Sequence, residues 1–171
     1  MRFEGFRFER RITLAGVPLL LNGTGLRAVA WFKGFAAALY LPQRSAAAPQ
    51  VVAMAGPKRL QLRMLQEVPA GEFAKAFRKG VGRNVAADEV PRLAARMETF
   101  EALVRALGTV RKGDTVDLDL DPARGLLFGL NGTLRGEPVP GEDFYAALLR
   151  SFVGEKPYDQ RLKAGLLGGT A

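Results

Sequence analysis

Apolar and polar residues alternate with period two over several short stretches of this chain and recur at three- and four-residue intervals over others. These are the patterns of half-buried strands and of helices lying on a core. In the first third, 12–14, 18–21, 26–32 and 35–41 read as strands, with an Asn22-Gly23 turn after the second and Pro42 closing the fourth. The Ala-rich stretch 45–55 predicts a short helix, Gly56-Pro57 breaks it, and Leu60, Leu62 and Met64 then alternate with Gln61, Arg63 and Leu65 in another strand. Phe73, Phe77 and Val81 predict an amphipathic helix whose end Gly80 and Gly82 loosen. Val90, Leu93, Met97, Phe100, Val104 and Leu107 predict a longer one, with Asp88 as its cap, Pro91 in the first turn and Gly108 past its end. Strands at 115–120 and 126–130 follow, and an Asn131-Gly132 turn leads into 133–135. Phe144, Leu148 and Phe152 set a helix ended by Gly154, and Tyr158, Leu162 and Leu166 a short last one. Strands grouped with strands and helices with helices predict an α+β fold, an antiparallel sheet with helices on one face. No linker or low-complexity segment divides 1–171, so a single domain is expected.

Composition narrows the chemistry. Apolar residues make up 48% and charged residues 25%, inside the globular range. The absence of cysteine and histidine removes disulfides, Cys- or His-ligated zinc, and catalysis by imidazole or thiolate. Lys and Arg exceed Asp and Glu to give a net charge of +8, which favours anionic partners. The bases are scattered, from Arg2 and Lys33 through Lys58, Arg83, Arg105 and Arg124 to Arg161, and read as a solvated surface with no nucleic-acid footprint. No run approaches the roughly 18 apolar residues of a membrane span, and 1–11 lacks the apolar stretch of a signal peptide.

Three motifs dissolve on inspection. Asp117, Asp119 and Asp121 resemble the start of a calcium loop, but its glycine and bidentate glutamate positions hold Pro122 and Phe128. Their alternation with Val116, Leu118 and Leu120 predicts the wet face of a strand, and no metal or cofactor is expected. Gly23-Thr24-Gly25 is followed by a strand pattern rather than the helix a dinucleotide fingerprint needs. Asn22-Gly23-Thr24 and Asn131-Gly132-Thr133 fit the glycosylation pattern but are explained by turn chemistry.

Arg27 stands apart. In a strand it shares a face with Val29 and Trp31, against Leu26, Ala28, Ala30 and Phe32, so a permanent charge sits among apolar side chains. Such a guanidinium needs a carboxylate or another anionic oxygen, from a protein acid in a structural salt bridge or from a ligand.

The stretch GTGLRAVAWFKGFAAALYLP (Gly23 to Pro42), the GPKRLQL strand, the FAKAFRKG helix, the LNG turn and the ALLRSFVG helix resemble the bacterial chalcone isomerase-like proteins, over nearly the whole chain. The resemblance implies an open-faced β-sandwich in which a large antiparallel sheet and a layer of helices enclose an apolar cleft. In the family's plant enzymes an Arg in this strand steadies the anionic oxygen while a Thr, a Tyr, an Asn and a second Thr surround the chalcone. Arg27 matches the Arg, whereas Phe35 stands at the strand Thr, Phe73 and Gly80 at the Tyr and Asn, and Ser151 at the last Thr. Plant fatty-acid-binding relatives keep the Arg and clamp a carboxylate with a Tyr where Phe35 stands here.

The resemblance therefore implies a noncatalytic binder of a fatty acid or similar apolar carboxylate. Arg27 would anchor it, Ser151 would be a second donor, and Val29, Trp31, Phe35, Phe73 and Phe77 would line the apolar part. Plain core packing is the other reading of Phe73 and Phe77. Two other functions remain open. One is a chalcone isomerase-type intramolecular lyase, with a phenolic substrate and with Arg27 and Ser151 catalytic; the other is an interaction module whose basic surface meets anionic lipid. Such proteins commonly carry an export signal, so residence is expected to be periplasmic if a signal has been removed and cytoplasmic otherwise.

Overall fold

The computed structural model describes residues 1–29 and 32–169, with the backbone alone at Val29, Phe32 and Lys33. In chain order the strands are β1 (Arg2–Phe3), β2 (Phe6–Arg7), β3 (Arg11–Leu14), β4 (Val17–Val29), β5 (Phe32–Leu41), β6 (Lys58–Met64), β7 (Val68–Pro69), β8 (Thr109–Val110), β9 (Thr115–Asp121), β10 (Gly125–Leu130) and β11 (Thr133–Leu134). The helices are α1 (Ala48–Ala53), α2 (Ala70–Asn84), α3 (Val90–Arg105), α4 (Glu142–Val153) and α5 (Gln160–Leu166). Seven strands form one antiparallel sheet in the order β11-β10-β9-β6-β5-β4-β3, the α+β arrangement the grouping of elements predicts.

The core lies between this sheet and the helices. Phe35, Ala37 and Leu39 of β5 and Leu60, Leu62 and Met64 of β6 point to the helical side, where Phe77, Phe100, Phe144 and Phe152 meet them. β5 reads as an unbroken apolar run because its other face is covered too. Ala36, Ala38 and Tyr40 pack there against Phe8 and Leu19, with Phe3 and Phe6 of the β1–β2 hairpin at the edge.

The Asn22-Gly23 turn expected from the sequence does not form. β4 runs straight through both residues with a bulge at Leu21/Gly23, and the hairpin turn falls instead at Ala15 and Gly16, with φ of 50° and 76°. The glycines serve a long-range contact. A side chain at Gly23 would collide with the Gly165 carbonyl, and one at Gly25 would come within 2.7 Å of the Leu162 carbonyl, so α5 lies backbone against backbone on β4. Asn22, almost fully buried, donates to the Leu166 carbonyl at 2.8 Å and accepts from the Ser45 amide at 2.9 Å. The second Asn-Gly is a true turn, with φ of 51° at Asn131 and 83° at Gly132.

Further expectations change with tertiary context. Asp117 and Asp119 lie on the outward face of β9 but are buried, not wet. Arg59 of β6, directly opposite Asp119, grips its two oxygens at 2.8 Å each, and Gln61 donates to Asp117 at 2.9 Å. Burial pushes the Asp119 carboxyl above its usual value against the pull of Arg59. Asp88 does not cap α3, whose first flanking residue is Glu89 with helical backbone and no side-chain cap. Gly80 and Gly82 sit inside α2, which continues to Asn84. Tyr158 precedes α5; the residue that caps this helix is Asp159, whose carboxylate accepts from the Arg161 and Leu162 amides. Among the described residues no helix is long and apolar enough to cross a membrane.

Candidate functional site

Arg27 lies directly opposite Phe35 in the β4–β5 pair, at the second bulge of β4, which interrupts the simple alternation beyond it. Its guanidinium is held from the segment before α5. Nη1 donates to the Tyr158 carbonyl at 3.2 Å and approaches Asp159 Oδ2 at 3.8 Å, and the charge sits 5.9 Å from the centre of the Tyr158 ring. The side chain keeps 31% of its surface exposed. Among the described residues Nη1 alone of its nitrogens makes a polar contact, and neither of its two contacts is the two-pronged grip of which a guanidinium is capable.

Arg27 borders an open cleft of about 390 Å³. Phe35, Phe73, Met64 and Ala76 give it an apolar lining, and Glu67 and Glu72 stand at its edge. Phe35 and Phe73 stack at 6.3 Å and 23°, and from them an aromatic chain runs inward through Phe77 to Phe100. The glutamates point to solvent, where Glu72 pairs with Lys75 at 3.6 Å. The arrangement offers an apolar tail a greasy trough and a negative head one strong donor.

Of the residues singled out in the sequence, Arg27, Phe35 and Phe73 come together in this cleft. Phe77 lies one layer deeper, nearly fully buried between Phe73 and Phe100. Trp31 and the side chain of Val29 lie outside the described residues. Ser151 is fully buried in α4 beside Tyr158, away from the cleft lining. A side chain at Gly80 would meet the Tyr158 hydroxyl at 2.6 Å and Ser151 Oγ at 2.7 Å, so the bare Gly80 makes room for the phenol. Tyr158 spends its proton on the Ala76 carbonyl at 2.7 Å, and among the described residues Ser151 Oγ finds no hydrogen bond of good geometry. Burial raises the Tyr158 phenol well above its ordinary value, which keeps it a neutral donor.

Tyr158 and Asp159 are the residues sequence reasoning missed. The only local signal was an Asp ahead of a short apolar-periodic run, a capping signature. Nothing local tied it to an arginine 132 positions earlier in the chain.

Residues 1–168 match the family described as chalcone isomerase-like. Among solved structures, a fatty-acid binding protein of Arabidopsis thaliana shares the fold with a TM-score of 0.76 at 18% identity, covering 95% of this chain and 92% of that one. No curated protein matches the sequence.

Proposed function

The chain belongs to the chalcone isomerase-like family, and from that premise we propose that it is a noncatalytic binder of a fatty acid or similar apolar carboxylate. The observation that carries this reading is the half-used fork of Arg27 at the rim of an apolar cleft. A carboxylate arriving there can take two donors in parallel, a stronger arrangement than the single carbonyl contact and the 3.8 Å approach of Asp159. The hydrocarbon tail then lies over Phe35 and Phe73 and removes apolar surface from water. The structural neighbour from Arabidopsis thaliana is itself a fatty-acid binding protein, which favours this reading over the others.

Cyclisation of a chalcone finds less support. It asks for several donors around the substrate, and the cleft is lined by Phe35 and Phe73, with Ser151 screened by Tyr158. Losing such a donor costs on the order of a hundredfold in rate.

The test is titration of a fluorescent fatty acid into the parent and Arg27→Ala proteins. A charge-assisted hydrogen bond contributes about 1.5–3 kcal/mol, so the variant is expected to bind at least tenfold more weakly. Arg27→Lys, which keeps charge without the fork, should fall between. Equal affinity in all three proteins would remove the reading.

A further inference from the structure

A second cavity, of about 840 Å³, shares no lining residue with the Arg27 cleft and opens where α1, the end of α2, α4 and the segment before α5 converge. Arg83, Arg150, Lys156 and Lys163 surround it with one acid, Glu155, while Pro49 and Val52 of α1 form an apolar wall.

Cations gather at helix C-termini for structural reasons, and α1, α2 and α4 all end here. That explanation covers part of the cluster. Lys163 donates to the Gly154 carbonyl at 2.9 Å, and Arg150 lies 3.8 Å from Glu89. Arg83 and Lys156 do neither: among the described residues their side chains reach no carboxylate and no carbonyl. With Glu89 and Glu155 set against two of the cations, two positive charges remain unanswered.

Lys156 is also held in place rather than trailing from a loose loop. Asn84 donates to its carbonyl at 2.8 Å and accepts from its amide at 3.0 Å, which fixes the backbone beneath it. Gly154 makes that contact possible, since a side chain there would come within 2.9 Å of Asn84 Oδ1.

Two unanswered charges beside an apolar wall suit a dianion joined to a hydrocarbon. A phosphate monoester fits, because with a second pKa near 6 it carries about −1.5 to −2 at pH 7. We propose that this cavity is a second binding site, independent of Arg27, for a phosphate-headed amphiphile. The head would rest between Arg83 and Lys156 and the chain against α1.

The probe is dodecyl phosphate below its critical micelle concentration, titrated by calorimetry into the parent and into Arg27→Ala so that the first cleft is silent in one arm. The Arg83→Gln/Lys156→Gln variant is expected to bind at least tenfold more weakly in both backgrounds. Lys112→Gln/Arg135→Gln removes the same charge from exposed sites elsewhere and should stay within twofold of the parent. Neither pair is buried, and an unchanged unfolding midpoint verifies that folding is intact. A second arm uses phosphatidylcholine vesicles with and without phosphatidic acid. Monomer binding sensitive to the Arg83/Lys156 pair identifies a soluble source, and vesicle binding alone with the same sensitivity identifies a bilayer headgroup. Equal losses in the two double variants, or no binding in either arm, would overturn the proposal.

Discussion

Arg27 and Arg59 occupy the same sheet at similar exposure, 31% and 22% of their side chains, yet they are different kinds of residue. Arg59 sits in a cross-strand row between Tyr40 and Asp119, and both oxygens of Asp119 are in its fork at 2.8 Å. Arg27 leans on one carbonyl and stands off its acid. Burial does not separate a structural cation from an available one; the occupancy of the fork does.

That contrast can be tested by removing each acid. Asp119→Ala empties the fork of Arg59 and leaves it only Asp117 Oδ1 at 3.7 Å, and should cost about 3 kcal/mol in urea unfolding. The corresponding change at the other arginine, Asp159→Ala, should cost only the helix cap, about 1 kcal/mol. Similar losses for both would erase the distinction. In binding the order reverses. Arg27→Ala should weaken fatty-acid affinity tenfold or more, whereas Asp159→Asn, by releasing the competitor for Arg27, should tighten it by about two- to threefold.

A third pair sharpens the point. Arg96 also grips both oxygens of its acid, Asp143, at 2.6 and 2.9 Å, but Asp143 is 52% exposed. The hydrogen bond from Arg96 holds the Asp143 carboxyl below its usual value. A depressed folded-state pKa contributes stability that is present above the unfolded value, near 4, and is lost as pH falls through the lower folded one. Asp143→Asn should therefore change stability at neutral pH by less than about 1 kcal/mol and flatten the acid limb slightly. A loss at neutral pH as large as that of Asp119→Ala would show that geometry alone, without burial, sets the value of these pairs.

The order of strands and helices was legible because periodicity records which face of each element is covered. It does not record by what. Asp117 and Asp119 alternate as solvated residues would, and only the row with Arg59 and Gln61 encloses them. Asn22-Gly23 carries the same local signal as Asn131-Gly132, but its glycine answers to Gly165, which is 142 positions away. The site divides in the same way. Arg27 was conspicuous as a charge in an apolar strand, and Phe35 and Phe73 lay at matching positions, while Tyr158 and Asp159 reach Arg27 only through the docking of α5.

That docking has a bearing on how the chain folds. α5 meets β4 across some of the longest sequence separations in the molecule, main chain against main chain at Gly23 and Gly25 and through the Asn22 side-chain amide on the Leu166 carbonyl. Contacts of such separation carry a high loop-closure cost and form late. During synthesis from the N-terminus the sheet can pair before α5 has emerged, leaving the bare glycine track of β4 and the guanidinium of Arg27 uncovered. Because α5 follows every strand of the sheet in chain order, its docking both covers β4 and sets the resting partner of the arginine, so that sealing of the sheet and readiness of the cleft become a single event.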